Sequence, residues 1–280
     1  MVFSEIKKSP STACNFCGQE GSHSSSCPLV SKEELYKEVS VAEVITEQDL
    51  RELFVSGRKL SYPRSEDVGP GWVEGKVEDY NQHPGLHYFV LKLQGGIIGF
   101  AQFEEIRADG QKKALFHNHY ISPQWQNKGL SHFLDRARIE KATTLKCSEA
   151  YTVVFPGNIG SLRSLTREGF VINDKPNNEF IERADPKHFF GTYFYLSRPL
   201  EERAEAETGK FDPAVLKNVK LERSFLRSKA EWILIYCWED YLVKQALKQG
   251  YVGRQLILPK DFQEENPLIT EEAILLQKVN

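Results

Sequence analysis

Apolar positions along this chain recur with two different periods, and each predicts a different element. Residues 41–45, 87–93, 97–106, 114–121 (ALFHNHYI) and 150–155 (AYTVVF) are short apolar or alternating runs, which predicts strands. Gln94, Gly95 and Gly96 make a hairpin turn between the second and third of them. Residues 189–196 (FFGTYFYL) predict one more strand. Helical spacing instead follows Ser131 and Asn158, the second helix closing at Gly169 and Phe170. Residues 46–54 (TEQDLRELF) predict a helix capped by Thr46, and the order of Ser31 and Glu34 is that of a capping box opening a short one. Residues 61–85 are rich in Gly, Pro and charge, which predicts a loop with one short helix around residues 77–81.

Beyond residue 200 the pattern changes. Residues 201–210 are mostly Glu, Arg, Ala and Gly, as in a solvated linker or charged helix. Asp212 followed by Pro213 is a helix start. Val215, Leu216, Val219, Ile233, Leu234, Cys237, Trp238, Tyr241 and Leu242 then recur at helical spacing until Gly250 stops the run. This predicts a helical C-terminal extension whose apolar stripe packs on the rest of the protein. No internal repeat is visible in the sequence.

Composition narrows the class. With 280 residues, 40% hydrophobic and 27% charged, the chain has the balance of a soluble globular protein. A net charge of −3 gives no global attraction to nucleic acid or to an anionic membrane, so any basic site must be local. No apolar run is long enough to span a bilayer and the first residues lack a signal peptide's apolar core, so a cytoplasmic location is expected. Three of the five cysteines crowd into the first 27 residues, which suits metal ligation better than a disulfide framework. Cys14, Cys17, His23 and Cys27 supply the three thiols and one imidazole of a closed tetrahedral zinc site, and a segment this small would draw its folding energy from Zn2+. The segment resembles a CCHC zinc knuckle, with His23 one place later than that family's spacing. Cys147 and Cys237, in apolar surroundings, are expected to be buried packing residues.

The chemistry concentrates in residues 114–170. A strand ending at Ile121 turns through Ser122 and Pro123 into Gln126, Asn127, Lys128, Gly129, Leu130 and Ser131, from which a helix departs. First-turn N–H groups have no intrahelical partner and the helix dipole is positive there, so a phosphate can be held largely by backbone, with Gly129 allowing close approach. This run, ISPQWQNKGLS, is similar to the acyl-CoA-binding motif V-x-P-x-x-(Q/R)-x-x-G-x-(G/A) of the GNAT superfamily of N-acetyltransferases, with Ser131 at the last position. Asn158 before a helix closed by Gly169 and Phe170 resembles the family's second motif. The resemblance implies an α/β (α+β) fold, with a mixed, largely antiparallel central sheet flanked by helices. To this are added the N-terminal zinc finger and the C-terminal helical extension. The expected division is a polar mobile tail at 1–12, the knuckle and a short helix at 13–40, the acyltransferase domain at 41–199, and a linker with the helical extension at 200–280.

The same resemblance implies acetyl-CoA as cosubstrate, held by Ile121, Gln126 to Ser131 and Asn158, and an amine acceptor, expected on a protein or other macromolecule. Trp72 and Tyr80 would line the acceptor site. Nucleic acid would be met only locally, through the finger, and no membrane. His117 and His119, alternating on one strand and so expected on one face, are both candidates for general base, with a solvent relay as the rival. For the general acid, relatives carry a Tyr where this chain has Leu165; Tyr151, Tyr193, Ser161 and Ser164 are the substitutes, or the thiolate leaves unassisted. Two other functions fit the same residues. One is a non-catalytic zinc-finger binding protein on a degenerate acyl-CoA-binding scaffold, and the other a small-amine acetyltransferase.

Overall fold

A computed structural model describes residues 32–44, 46–59, 72–108, 110–173, 193–200, 215–216, 219–222, 230–259 and 270–279. Cys14, Cys17, His23 and Cys27 lie outside the described residues, as does the expected division at residues 12 and 13. The helices are α1 (Lys32–Lys37), α2 (Glu47–Lys59), α3 (Trp72–Gln82), α4 (Ser131–Thr144), α5 (Ile159–Arg167) and α6 (Asp240–Lys248). The strands are β1 (Val39–Val44), β2 (Leu86–Leu93), β3 (Gly96–Ala108), β4 (Gln111–Ile121), β5 (Glu149–Val154), β6 (Val171–Asn173), β7 (Phe194–Pro199), β8 (Lys220–Leu221), β9 (Trp232–Tyr236), β10 (Tyr251–Ile257) and β11 (Ala273–Lys278). All belong to one sheet, in the order β1-β2-β3-β4-β5-β7-β6-β10-β11-β9-β8. The β4/β5 and β8/β9 pairs are parallel and the other recorded pairs antiparallel.

Local chemistry accounts for the elements that precede the site. Thr46 caps α2 by accepting the Asp49 N–H at 3.1 Å. The β2–β3 hairpin turns at Gln94 and Gly95, both with positive φ, the geometry that matches the twist of the flanking strands. One face of the sheet carries α4, α5 and α6, with Leu134 of α4 and Leu162 of α5 in one core with Phe103, Phe116, Leu196, Ile235 and Leu276 of the strands. The other face, at its N-terminal half, carries α2 and α3 over Tyr88, Val90 and Phe100. Cys147 and Cys237 are buried, and burial pushes their thiols up to about 11 and about 12, so neither is a nucleophile at neutral pH.

The C-terminal part is not a helical extension. Among its described residues it is a sheet extension with one helix, because Ile233 and Ile235 point to one core while Leu234 and Tyr236 point to another, a period of two. A short apolar run such as WILIY suits either element, and spacing alone misassigns it. Part of the stripe packs on the rest of the protein, with Leu242, Val243 and Ala246 of α6 in the main core, but Trp238 and Tyr241, expected to pack with them, are exposed.

The structure also shows an internal repeat. The path β5–α5–β6–β7 is followed again by β9–α6–β10–β11, each with its last strand inserted between the first two. Both helices have nine residues, and both end before a glycine with left-handed φ, Gly169 at 84° and Gly250 at 85°. Gly169 and Gly250, Phe170 and Tyr251, and Leu162 and Val243 are each 81 residues apart. The two units meet where β6 and β10 run antiparallel, so they are related by a pseudo-two-fold axis. At that seam a Cβ on Gly253 would lie 2.8 Å from Ile172 Cβ. The repeat escapes sequence inspection because it conserves burial and turns rather than residue identity. The connections that precede the two units differ in length: residues 222–231 join β8 to β9, against 122–148 between β4 and β5.

Candidate active site

Strands β4 and β5 pair only over Lys113, Ala114 and Leu115 against Glu149, Ala150 and Tyr151. Beyond that point they separate, leaving residues 116–121 of β4 unpaired on the β5 side. The split opens toward two helix starts. On one side β4 passes through a single turn of 3-10 helix, Pro123–Trp125, into the loop before α4. On the other, β5 leads to Asn158, whose side chain accepts the Ser161 N–H at 3.2 Å and caps α5.

The loop before α4 has the form of an anion cradle. Asn127 and Gly129 have φ of 61° and 76°, left-handed values that turn the chain back on itself; Asn tolerates this and Gly adopts it without strain. Leu130, which opens α4, makes no side-chain cap, and apart from the Phe133 N–H, which donates to the Leu130 carbonyl at 3.3 Å, the first-turn N–H groups of the helix are left to a ligand. Three contacts fix the loop. Gln126 donates through Nε2 to the Ile121 carbonyl at 2.8 Å, Tyr36 on α1 donates to the Lys128 carbonyl at 3.1 Å, and His132 Nδ1 lies 2.5 Å from the Gly129 carbonyl. The Lys128 ammonium sits 5.9 Å from the Trp125 ring centroid. The cradle thus fits a pyrophosphate, with Gln126 spending its side chain on the strand end.

His117 and His119 do not share a face. Phe100 pairs with Tyr120 but Gln102 with His117, so β4 carries one residue more than β3 across this interval. The extra residue is a bulge at Asn118, with φ of 47°, and it breaks the alternation that the sequence suggested. Further along the pair, opposite Ile121, Gly99 is required, since a Cβ there would lie 2.7 Å from the Tyr120 carbonyl. His117 therefore faces α3, beside Gln102 Nε2 at 3.1 Å, while Asn118 Nδ2 donates to Gln102 Oε1 at 2.9 Å. Burial, reinforced by Arg138 and Lys76, pulls His117 down to about 4, so it is neutral at pH 7.

His119 faces α4 instead. Its Nδ1 lies 3.2 Å from Asp135 Oδ1 and 3.3 Å from Arg138 Nη2. Arg138 forms an ion pair with the same Asp135 oxygen, donates to the Gln102 carbonyl at 3.2 Å, and lies 4.3 Å from the Phe116 ring centroid. Ser164 donates to Asp135 Oδ2 and lies 3.0 Å from the Ser131 hydroxyl. Burial alone would push Asp135 up, but His119, Arg138 and the Ser164 hydroxyl hold it well below the usual carboxylate range. Sequence reasoning did not pick out Asp135, Arg138 or Gln102. The available signal was that Asp135 and Arg138 fall in the apolar stripe of Leu134, Ile139 and Ala142.

Of the remaining candidates, Tyr151 is buried, with its ring 5.7 Å from that of Tyr195, and shares the His117 face through its pairing with Leu115. Tyr193 packs edge-on to Phe155 at 6.2 Å, near the end of β5. Tyr80 lies on the α3 side, its hydroxyl 3.4 Å from the Val44 carbonyl; the Trp72 side chain is outside the described residues. Leu165, on α5, is buried in the main core, where an apolar side chain fits. A separate groove of about 480 Å³, lined by Val41, Glu43, Phe89, Phe133 and Lys141, lies on the outer flank of α4 and away from the split.

Residues 51–170 match the Acetyltransferase (GNAT) family. Among solved structures, Campylobacter jejuni N-acetyltransferase PseH in complex with acetyl coenzyme A is 20% identical, with 58% of this chain and 99% of that one covered and a TM-score of 0.40. The GNAT-family acetyltransferase from Streptococcus pneumoniae is 16% identical over 59% of this chain and all of its own, with a TM-score of 0.46. The ribosomal-protein-S18-alanine N-acetyltransferase from Escherichia coli is 18% identical over 58% and 94%, with a TM-score of 0.39. No curated protein matches the chain. The matched segment, under half of the chain, holds both helix starts, the split strands and both histidines. Among the described residues no helix is long and apolar enough to cross a membrane.

Proposed function

We propose that the protein transfers the acetyl group of acetyl-CoA directly to an amine of a macromolecular acceptor, a protein being the first choice. The observation that carries this reading is the uncapped start of α4, with left-handed Asn127 and Gly129, at the mouth of the β4–β5 split. The backbone of residues 126–131 would hold the pyrophosphate, and the unpaired edge of β4 up to Ile121 would offer its polar groups to the pantetheine arm. Lys128 would add positive charge, and Asn158 would lie across the split. His117, neutral and on the α3 side, would accept the amine proton, with Tyr80 nearby on the acceptor side. A thiol-release assay over lysine peptides, protein N-termini and polyamines tests the reading. Release with peptides is expected, and release with polyamines alone would reassign the acceptor.

For the N-terminal segment we propose one structural Zn2+ on Cys14, Cys17, His23 and Cys27, a reading that rests on their spacing. Such a finger would present acceptor or nucleic-acid contacts in a cytoplasmic setting. Elemental analysis of protein purified without chelator should give one zinc per chain, absent in the Cys14→Ser/Cys17→Ser variant. A zinc-free wild type would overturn the assignment.

A further inference from the structure

Acetyl transfer also leaves a thiolate to be protonated, and Leu165 closes the position at which relatives carry a Tyr. We propose that His119 is the general acid for this step and that Asp135 positions it; the proposal rests on the acetyl-transfer reading above. The bulge at Asn118 gives the unpaired edge of β4 two imidazoles on opposite faces: His117 toward α3, the acceptor side, and His119 toward α4, whose first turn is the cradle. Asp135 is fully buried and holds Nδ1 of His119 at 3.2 Å. Nε2 of His119 is buried and has no hydrogen-bond partner, a costly state that a bound molecule relieves. Ser164 binds the same carboxylate and touches the hydroxyl of Ser131, so the cradle and this imidazole share one hydrogen-bonded chain. Ser164 is thereby committed to Asp135, and Tyr151 lies on the other face, which leaves His119 as the donor on the cosubstrate side.

The step balances with these groups. The acceptor nitrogen attacks the thioester carbon, forming the C–N bond and giving its proton to His117. The C–S bond breaks, its electron pair leaves on sulfur, and the imidazolium of His119, donating Nδ1–H to Asp135, gives its Nε2 proton to that sulfur. The amine loses one proton and the thiol gains one; a proton returning from His117 to His119 through solvent restores both. The charged groups facing His119 are Asp135 and Arg138 from α4, with His117 the next titratable group along β4.

The test uses the full chain with His119→Gln, Asp135→Asn and Ser164→Ala. With acetyl-CoA, turnover of the first two should fall on the order of a hundredfold with little change in KM for acetyl-CoA, and Ser164→Ala should fall less. With p-nitrophenyl acetate, whose leaving group needs no proton, the loss in His119→Gln should be much smaller, within about tenfold of wild type. Asp135→Asn leaves Arg138 without its partner and can fail to fold; His119→Gln, which keeps that pair, then decides. Equal losses with both acyl donors, or undiminished turnover with acetyl-CoA, would overturn the proposal. A wild type that releases no thiol with any amine defeats the acetyl-transfer reading instead, whatever the variants do.

Discussion

Gly129→Glu should abolish acetyl-CoA binding, with affinity falling by about a hundredfold or more, about 2.7 kcal/mol. Two effects add. At φ of 76° a residue with a Cβ is in the left-handed region, which costs about 1–2 kcal/mol. The carboxylate also places negative charge where the uncapped N–H groups of α4 await a phosphate. Equilibrium dialysis with labelled acetyl-CoA measures the loss, and circular dichroism verifies that the variant is folded. Undiminished affinity in a folded variant would remove the cradle assignment.

The second large effect concerns His117. Replacing it with Ala, or with Gln to keep a hydrogen-bonding side chain beside Gln102, should lower kcat by about a hundredfold or more, with acetyl-CoA affinity unchanged. The pH profile is the sharper test. A base is active only when unprotonated, and His117 sits near 4 rather than its ordinary 6.5, so it stays competent far into acid. Once corrected for protonation of the acceptor amine, kcat/KM should be flat from neutrality down to about pH 5 and fall as pH drops through about 4. In His117→Gln that limb should vanish. A wild-type limb near the ordinary histidine value, or a variant with normal turnover, would move the base elsewhere.

How much of this was legible from sequence varies with the kind of signal. The cradle was, because its residues are contiguous and their types follow from local backbone needs: Gly129 for a positive φ, then a helix start. The hairpin at Gln94 and Gly95 was legible for the same reason. The faces of His117 and His119 were not, since alternation holds only in an unbroken ladder. The one hint of the bulge was Asn118, a residue that tolerates left-handed backbone, inside an otherwise apolar strand. Asp135 and Arg138 were hidden because a pair at i and i+3 on a helix suggests a solvated face, and only the strand packed above reveals it as buried. The C-terminal sheet was missed because five apolar residues are too few to separate period two from period 3.6. The repeat it completes is carried by topology, with Asn158 of one copy answered by Glu239 of the other.

Hydrogen exchange on the full chain, with and without acetyl-CoA, tests the central claim most directly because it maps the cosubstrate without presupposing the acceptor. Protection on binding should concentrate in residues 121–133 and in the first turn of α5 after Asn158, and should be absent from the second unit around α6. No added protection at the start of α4, or protection confined to the groove beside Val41 and Phe89, would contradict the placement of acetyl-CoA in the β4–β5 split.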